Sequence, residues 1–272
     1  MKKVRPPQVA GYFYPAEPDS LHNEIQKMLS EAKLNKTFKK IIGIVSPHAG
    51  YMYSGKTAAF AYNAIKNKDY KTAIVISPSH SEYFPGISIY DGEAYQTPLG
   101  IVEIDEDKAQ KLVEGSKLIF RGVQGHRREH ALEVQIPFLQ TVLNDFKIVP
   151  VVMGDQSKVF VDELARKLAE VMDDKTIIVA SSDLSHFYNA NEANVLDSLV
   201  ERRINDFDYE KLQQDLDAHR CEACGGGPIV AMMKAAALNN YHKAEVLKRT
   251  DSGDVTGDKS EVVGYLSAVV YE

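Results

Sequence analysis

The chain contains no tryptophan and only two cysteines, Cys221 and Cys224, in 272 residues. A single Cys pair cannot build the disulfide framework of a small secreted fold, and it suits a reducing compartment. A zinc ribbon would need a second Cys pair, which is absent. Long apolar stretches are missing too, and none approaches the ~20 residues that span a bilayer. The opening MKKVRPPQVAGYFYPAEP starts basic but has no apolar stretch behind it, so it does not read as a secretory signal. Formal net charge is -6, with no basic stripe of the kind that nucleic-acid binders carry. Arg121, Arg127 and Arg128 form a small local group that reads as a solvated loop. These exclusions point to a soluble, cytoplasmic protein with neither membrane nor nucleic-acid partners.

What is present is ordinary for a globular protein, with 44% hydrophobic and 26% charged residues. Length alone would allow one domain or two. No linker, repeat or low-complexity tract divides the chain, so residues 1–272 read as a single domain. Short apolar runs alternate with amphipathic stretches. KKIIGIVSPHAG, KTAIVISPSH, KIVPVVMG and KTIIVASSDLSHF read as buried strands. GKTAAFAYNAIKN reads as a helix capped by Ser54, and EHALEVQIPFLQTVLN as a helix that His130 begins. GISIYDGEAYQTPLGIVEI suggests a hairpin or meander. The alternation predicts an α/β fold with a mostly parallel central sheet and helices on both faces.

Three of these strands run into a polar cluster that contains histidine. The endings are Ser46-Pro47-His48, Ser77-Pro78-Ser79-His80 and Ser181-Ser182-Asp183-Leu184-Ser185-His186. In open α/β sheets, ligands bind beyond the carboxyl ends of the strands. One such histidine would more often be an ordinary loop residue. Three at equivalent positions argue for a shared pocket. His130 and Glu133 lie one helical turn apart, where they would form a surface pair or face the pocket. His126 reads as a loop residue, and His22, His219 and His242 as surface residues. Cys224 precedes a Gly turn and an Ala- and Met-rich helix, a setting that favours a thiolate for metal ligation or nucleophilic attack. Cys221 reads as a small buried residue.

The segments PHAGYMYSG, SPSH, EHALEVQIPFL, SSDLSHF and CGGGPI, with VAGYFYP near the start and GYLSAVVY at the end, together resemble the Memo family across essentially the whole chain. The resemblance implies a fold similar to the class III extradiol dioxygenases, non-haem iron enzymes that hold their metal with two His and one carboxylate. In the Memo family the corresponding ligands are two His and a Cys, which fall here on His48, His80 and Cys224. His186 matches the dioxygenase acid/base position, with Asp183 beside it and His130 lining the cavity. Tyr51 and Tyr53 follow the first ligand as pocket wall, and Glu133 is a further substrate-side candidate. A thiolate ligand favours iron, copper or zinc over magnesium or calcium. Eukaryotic relatives are associated with cell motility and phosphotyrosine receptor tails. Bacterial and archaeal relatives are grouped with an Ammecr-like protein and a radical SAM protein.

Three functions follow from these residues. The first is a metal-dependent oxidoreductase acting on a small substrate, with His186 as general base. The second is a binding module that captures a peptide or metabolite in an inherited pocket. The third, a thiol redox protein, would use Cys221 and Cys224 together.

Overall fold

The structure, a computed structural model, describes residues 3–272; Met1 and Lys2 of the basic opening lie outside them. The chain runs β1 (Val4–Arg5), α1 (Pro18–Glu31), β2 (Ile41–Ser46), α2 (Tyr51–Ile65) and β3 (Thr72–Pro78). Three short strands follow, β4 (Ile87–Tyr90), β5 (Ala94–Thr97) and β6 (Gly100–Glu103), then α3 (Glu106–Val113) and β7 (Ile119–Gly122). The middle of the chain supplies α4 (Gln135–Val142), β8 (Lys147–Met153), α5 (Lys158–Val171) and β9 (Thr176–Ser181). It closes with β10 (His186–Tyr188), α6 (Ala190–Asn205), α7 (Tyr209–Asp217), α8 (Gly226–Leu238), β11 (Lys243–Asp251), α9 (Gly253–Thr256) and β12 (Val262–Tyr271).

The main sheet has the order β10-β12-β2-β9-β3-β8-β4-β7, with β11 also paired to β12. Its centre, β2-β9-β3-β8, is parallel throughout. Its margins are antiparallel where β12 meets β2, β10 and β11, and where β4 meets β8. The sheet is therefore mixed, with a parallel heart and helices on both faces. The central strands β2, β3 and β9 are buried along their whole length, as expected for parallel strands covered on both faces. That explains why they read as continuous apolar runs rather than as alternations. The expected hairpin forms between β5 and β6, and β1 joins it in a separate small sheet.

Two helix starts differ from the sequence reading. α2 begins at Tyr51 with Gly50 at its cap position. Ser54 lies inside the first turn and donates from Oγ to Ala49 O at 2.9 Å. Residues 131–134 form a turn, and α4 starts only at Gln135, so His130 precedes the helix rather than opening it.

Candidate metal centre

The parallel register sets the site. β2 pairs with β9 so that Ser46 lies opposite Ser181, and β3 lies on the other side of β9. The loops carrying His48, Asp183 and His80 therefore leave one rim of the sheet from three neighbouring strands. The last donor comes from far along the chain. Cys224 N donates to Asp183 O at 3.2 Å, and Asp183 N points at Cys224 Sγ at 3.2 Å. Gly225 makes this approach feasible, because a Cβ there would sit 2.1 Å from Ser181 O. Two side chains hold the turn: Ser182 Oγ accepts from Gly225 N, and Gln156 bridges from Nε2 to Cys224 O and from Oε1 to Gly227 N.

One ligand atom each from His48, His80 and Cys224 lies within 4.8 Å of the others. His48 Nε2 is 3.1 Å from Cys224 Sγ. The opposite nitrogen of each ring is already committed. Ser181 Oγ spends its only proton on Ala131 O at 2.6 Å and accepts from Gln135 Nε2 at 2.8 Å. His48 Nδ1, 2.9 Å from that oxygen, must then be the donor. Gln135 is oriented because its Nε2 also faces Pro47 O at 2.9 Å. His80 Nδ1 donates to Glu129 Oε1 at 2.9 Å, and His80 N donates to Glu129 Oε2 at 2.7 Å. With Nδ1 of each ring engaged, Nε2 is the nitrogen left for a ligand, the arrangement that outer partners impose on metal-ligating histidines. The sequence reading names Ser181 only as part of a strand ending, and does not name Glu129 or Gln135. The only available signal was the acidic residue directly before His130.

Apart from His80, the electrostatics favour the neutral forms of the pocket's titratable groups. Burial, aided by His80, His130 and His186, holds His48 well below the usual imidazole range, so it is a neutral donor. Burial alone would lower His80 as well, but the Glu129 contact outweighs it and holds His80 above its ordinary value. Burial pushes the Cys224 thiol up, so the thiolate needs a cation to compensate it. Burial also pushes Asp183 up to about 7, against the hydrogen bonds it accepts from the His48 and Ala49 amides. Burial lowers both His130 and His186. Two imidazoles and one thiol thus form a group that could hold a metal ion.

The other predicted residues divide into two groups. His130 stacks on His80 at 4.8 Å between ring centroids and meets His48 edge-on at 5.6 Å. His186 and Cys224 line a cleft of about 600 Å³. Tyr51, Tyr53 and Glu133 are not brought to that cleft. Tyr51 is buried and donates to Val134 O at 2.6 Å. Tyr53 faces a separate groove with Met28, Thr57 and Thr250. Glu133 is fully buried and takes donors from Arg5, Tyr14 and the amides of Gln8 and Val9. That set leaves it neither a surface pair with His130 nor a free carboxylate. His126, read as a loop residue, is buried between Tyr95 OH and Ser88 O. His219, read as surface, borders the cleft.

A family model described as Memo-like protein matches residues 5–269. The chain belongs to the Memo family. MEMO1 family proteins from Methanosarcina mazei and Thermoplasma volcanium are 36% and 38% identical to it, each covering 98% of this chain and 98–99% of their own. A MEMO1 family protein from Methanocaldococcus jannaschii is 36% identical over 99% of this chain and 100% of its own. Among solved structures, an uncharacterized protein from Escherichia coli K12 matches with a TM-score of 0.54 at 15% identity, covering 85% of this chain and 100% of that one. That likeness shows a shared fold. The His48, His80 and Cys224 cluster therefore sits inside a Memo chain, and no helix among the described residues is long and apolar enough to cross a membrane.

Proposed function

We propose that this Memo protein holds one iron, copper or zinc ion on His48, His80 and Cys224 and uses it for redox chemistry on a small substrate. The observation that supports the reading is the pair of outer contacts, Ser181 on His48 and Glu129 on His80, that occupy Nδ1 of each ring in a cluster whose third member is the Cys224 thiol. Three protein donors fit a catalytic rather than a closed structural site, because they leave coordination positions open. When bound, such an ion supplies Lewis-acid and electron-transfer chemistry.

The chain's own residues supply binding and proton handling. The cleft beside Cys224 admits the substrate. His186, neutral at pH 7 because burial lowers it, takes a proton from a substrate hydroxyl on a ring nitrogen. Asp183 holds the His48 amide through Oδ1 at 2.7 Å and lies 3.8 Å from His48 Nε2, so it fixes the ligand loop and stabilises positive charge there. His130 covers the two ligand rings and restricts water from one side. The reading takes the cytoplasm as the compartment, consistent with two free thiols. It takes the Ammecr-like and radical SAM proteins as members of the same pathway.

Metal quantification on protein purified without oxygen tests the reading. Wild type should carry close to one ion per chain, His48→Ala almost none, and His186→Ala a full complement with turnover lost. Stoichiometric metal in His48→Ala would refute the ligand assignment.

The alternative, a binding module with no chemistry, draws on the oxidisable Cys224 in place of a carboxylate. It predicts ligand capture that survives a strong chelator.

A further inference from the structure

One buried amide holds the His48 side of the cluster from behind. Gln135 is buried at the first position of α4. Its Nε2 faces Pro47 O at 2.9 Å and Ser181 Oγ at 2.8 Å, with Ser46 O at 3.5 Å. It therefore grips both the backbone directly before His48 and the hydroxyl that accepts from His48 Nδ1. Two of these three neighbours are carbonyls, which only accept, so the amide nitrogen belongs on that side. The amide oxygen is left facing away from the ligand loop, inside the protein, where an unpaired acceptor is costly.

Tyr62 meets that oxygen. Its OH donates to Gln135 Oε1 at 2.6 Å, and no other donor to Oε1 is found among the described residues. Tyr62 is itself fully buried, so bulk water does not compete for the bond. Its ring is fixed as well, stacked on Phe138 at 4.7 Å with an interplanar angle of 9°. Phe138 lies one turn along α4 from Gln135, so the ring and the hydroxyl hold the same face of that helix. Tyr51, at the start of α2, meets Phe138 at 5.0 Å and donates to Val134 O at 2.6 Å. Helix α2 begins three residues after His48, and through Tyr62 it returns to hold the loop that precedes it. The Ser46 hydroxyl also reaches the phenol oxygen of Tyr62.

We infer that Tyr62 is a positioning residue of the metal centre: its phenol sets the Gln135 amide, and the amide holds Pro47 and Ser181 so that His48 presents Nε2 to the ion. The inference rests on the proposed metal site, and it adds a residue two hydrogen bonds behind Ser181.

Cobalt(II) added to the metal-free full chain, kept without oxygen, is the probe. Chelator competition reads its affinity, and its ligand-field bands report the geometry around the ion. Tyr62→Phe should weaken cobalt by about threefold to tenfold, below the about 10- to 100-fold of a direct outer partner, and should shift the bands. Tyr70→Phe is the control. The Tyr70 hydroxyl donates to Ile41 O at 2.8 Å, so this variant loses an equivalent buried bond at the far end of β2. It should match wild type in affinity and bands even if both variants melt at lower temperature. Gln135→Met removes the amide, and Tyr62→Phe added to it should cost nothing further, because the two residues act as one unit. An effect of equal size in Tyr70→Phe would make the loss one of general stability and overturn the inference. A full further loss in the Gln135→Met background would overturn the relay, since Tyr62 would then act through Ser46. A loaded wild type with an unaffected Tyr62→Phe overturns this inference alone. A wild type that takes up no cobalt overturns the metal centre and this inference with it.

Discussion

At the scale of single residues, the site is decided by which nitrogen each histidine can offer. His48 and His80 are visible in the sequence because each follows a buried strand, and Cys224 because it precedes a glycine turn. Their outer partners are not visible in the same way. Ser181 is one serine among several at a strand end, and its role exists only because Ala131 O and Gln135 Nε2 fix its proton. Glu129 carries no spacing signal in the sequence, whereas Glu133 lies three residues after His130, a helical spacing. The spacing argument failed because residues 131–134 form a turn and Glu133 is consumed by the N-terminal segment. The role of Glu129 can be measured. Glu129→Gln places an amide N–H against the His80 or Ala131 amide, and Ser181→Ala removes the acceptor for His48 Nδ1. Each should cost about 10- to 100-fold in metal affinity by chelator competition. Affinity equal to wild type in both would show that the outer contacts do not orient the ligands.

At the scale of elements, the N-terminal segment behaves as a strap. Arg5 donates to Glu133 Oε2 at 2.7 Å and to the carbonyls of His126 and Glu129 at 2.6 Å each. Tyr14 OH and the Gln8 and Val9 amides converge on the same carboxylate. Further along, the Phe13 ring packs at a tilt of 56° against His130 at 4.8 Å between centroids, and the Phe13 carbonyl accepts from the Tyr51 amide at 2.7 Å. This explains why α2 starts at Tyr51 rather than after Ser54: the strap satisfies an amide that a capping side chain would otherwise take. No local pattern could reveal it, since Arg5 and Glu133 are distant in sequence. Arg5→Met leaves the Glu133 charge buried without its ion pair, and should destabilise the fold by about 3–5 kcal/mol in denaturant unfolding. A loss below about 1 kcal/mol would mean the strap is held by other contacts.

At the scale of the whole molecule, the fold class was legible because the central strands carry continuous apolar runs and alternate with helices. The strand order was not. β12, from the end of the chain, inserts between β2 and the β10 and β11 strands, and such a pairing leaves no local trace. The parallel heart is nonetheless what matters for function, because it delivers His48, Asp183 and His80 to one rim and lets the α8 turn add a sulfur. X-ray absorption at the metal edge of protein purified without oxygen tests that arrangement most directly. The account predicts two imidazole nitrogens and one sulfur around the ion, the sulfur at about 2.3 Å if the metal is zinc, and loss of that sulfur in Cys224→Ser. A shell of nitrogen and oxygen alone in the wild type, or a sulfur that persists in Cys224→Ser, would contradict it.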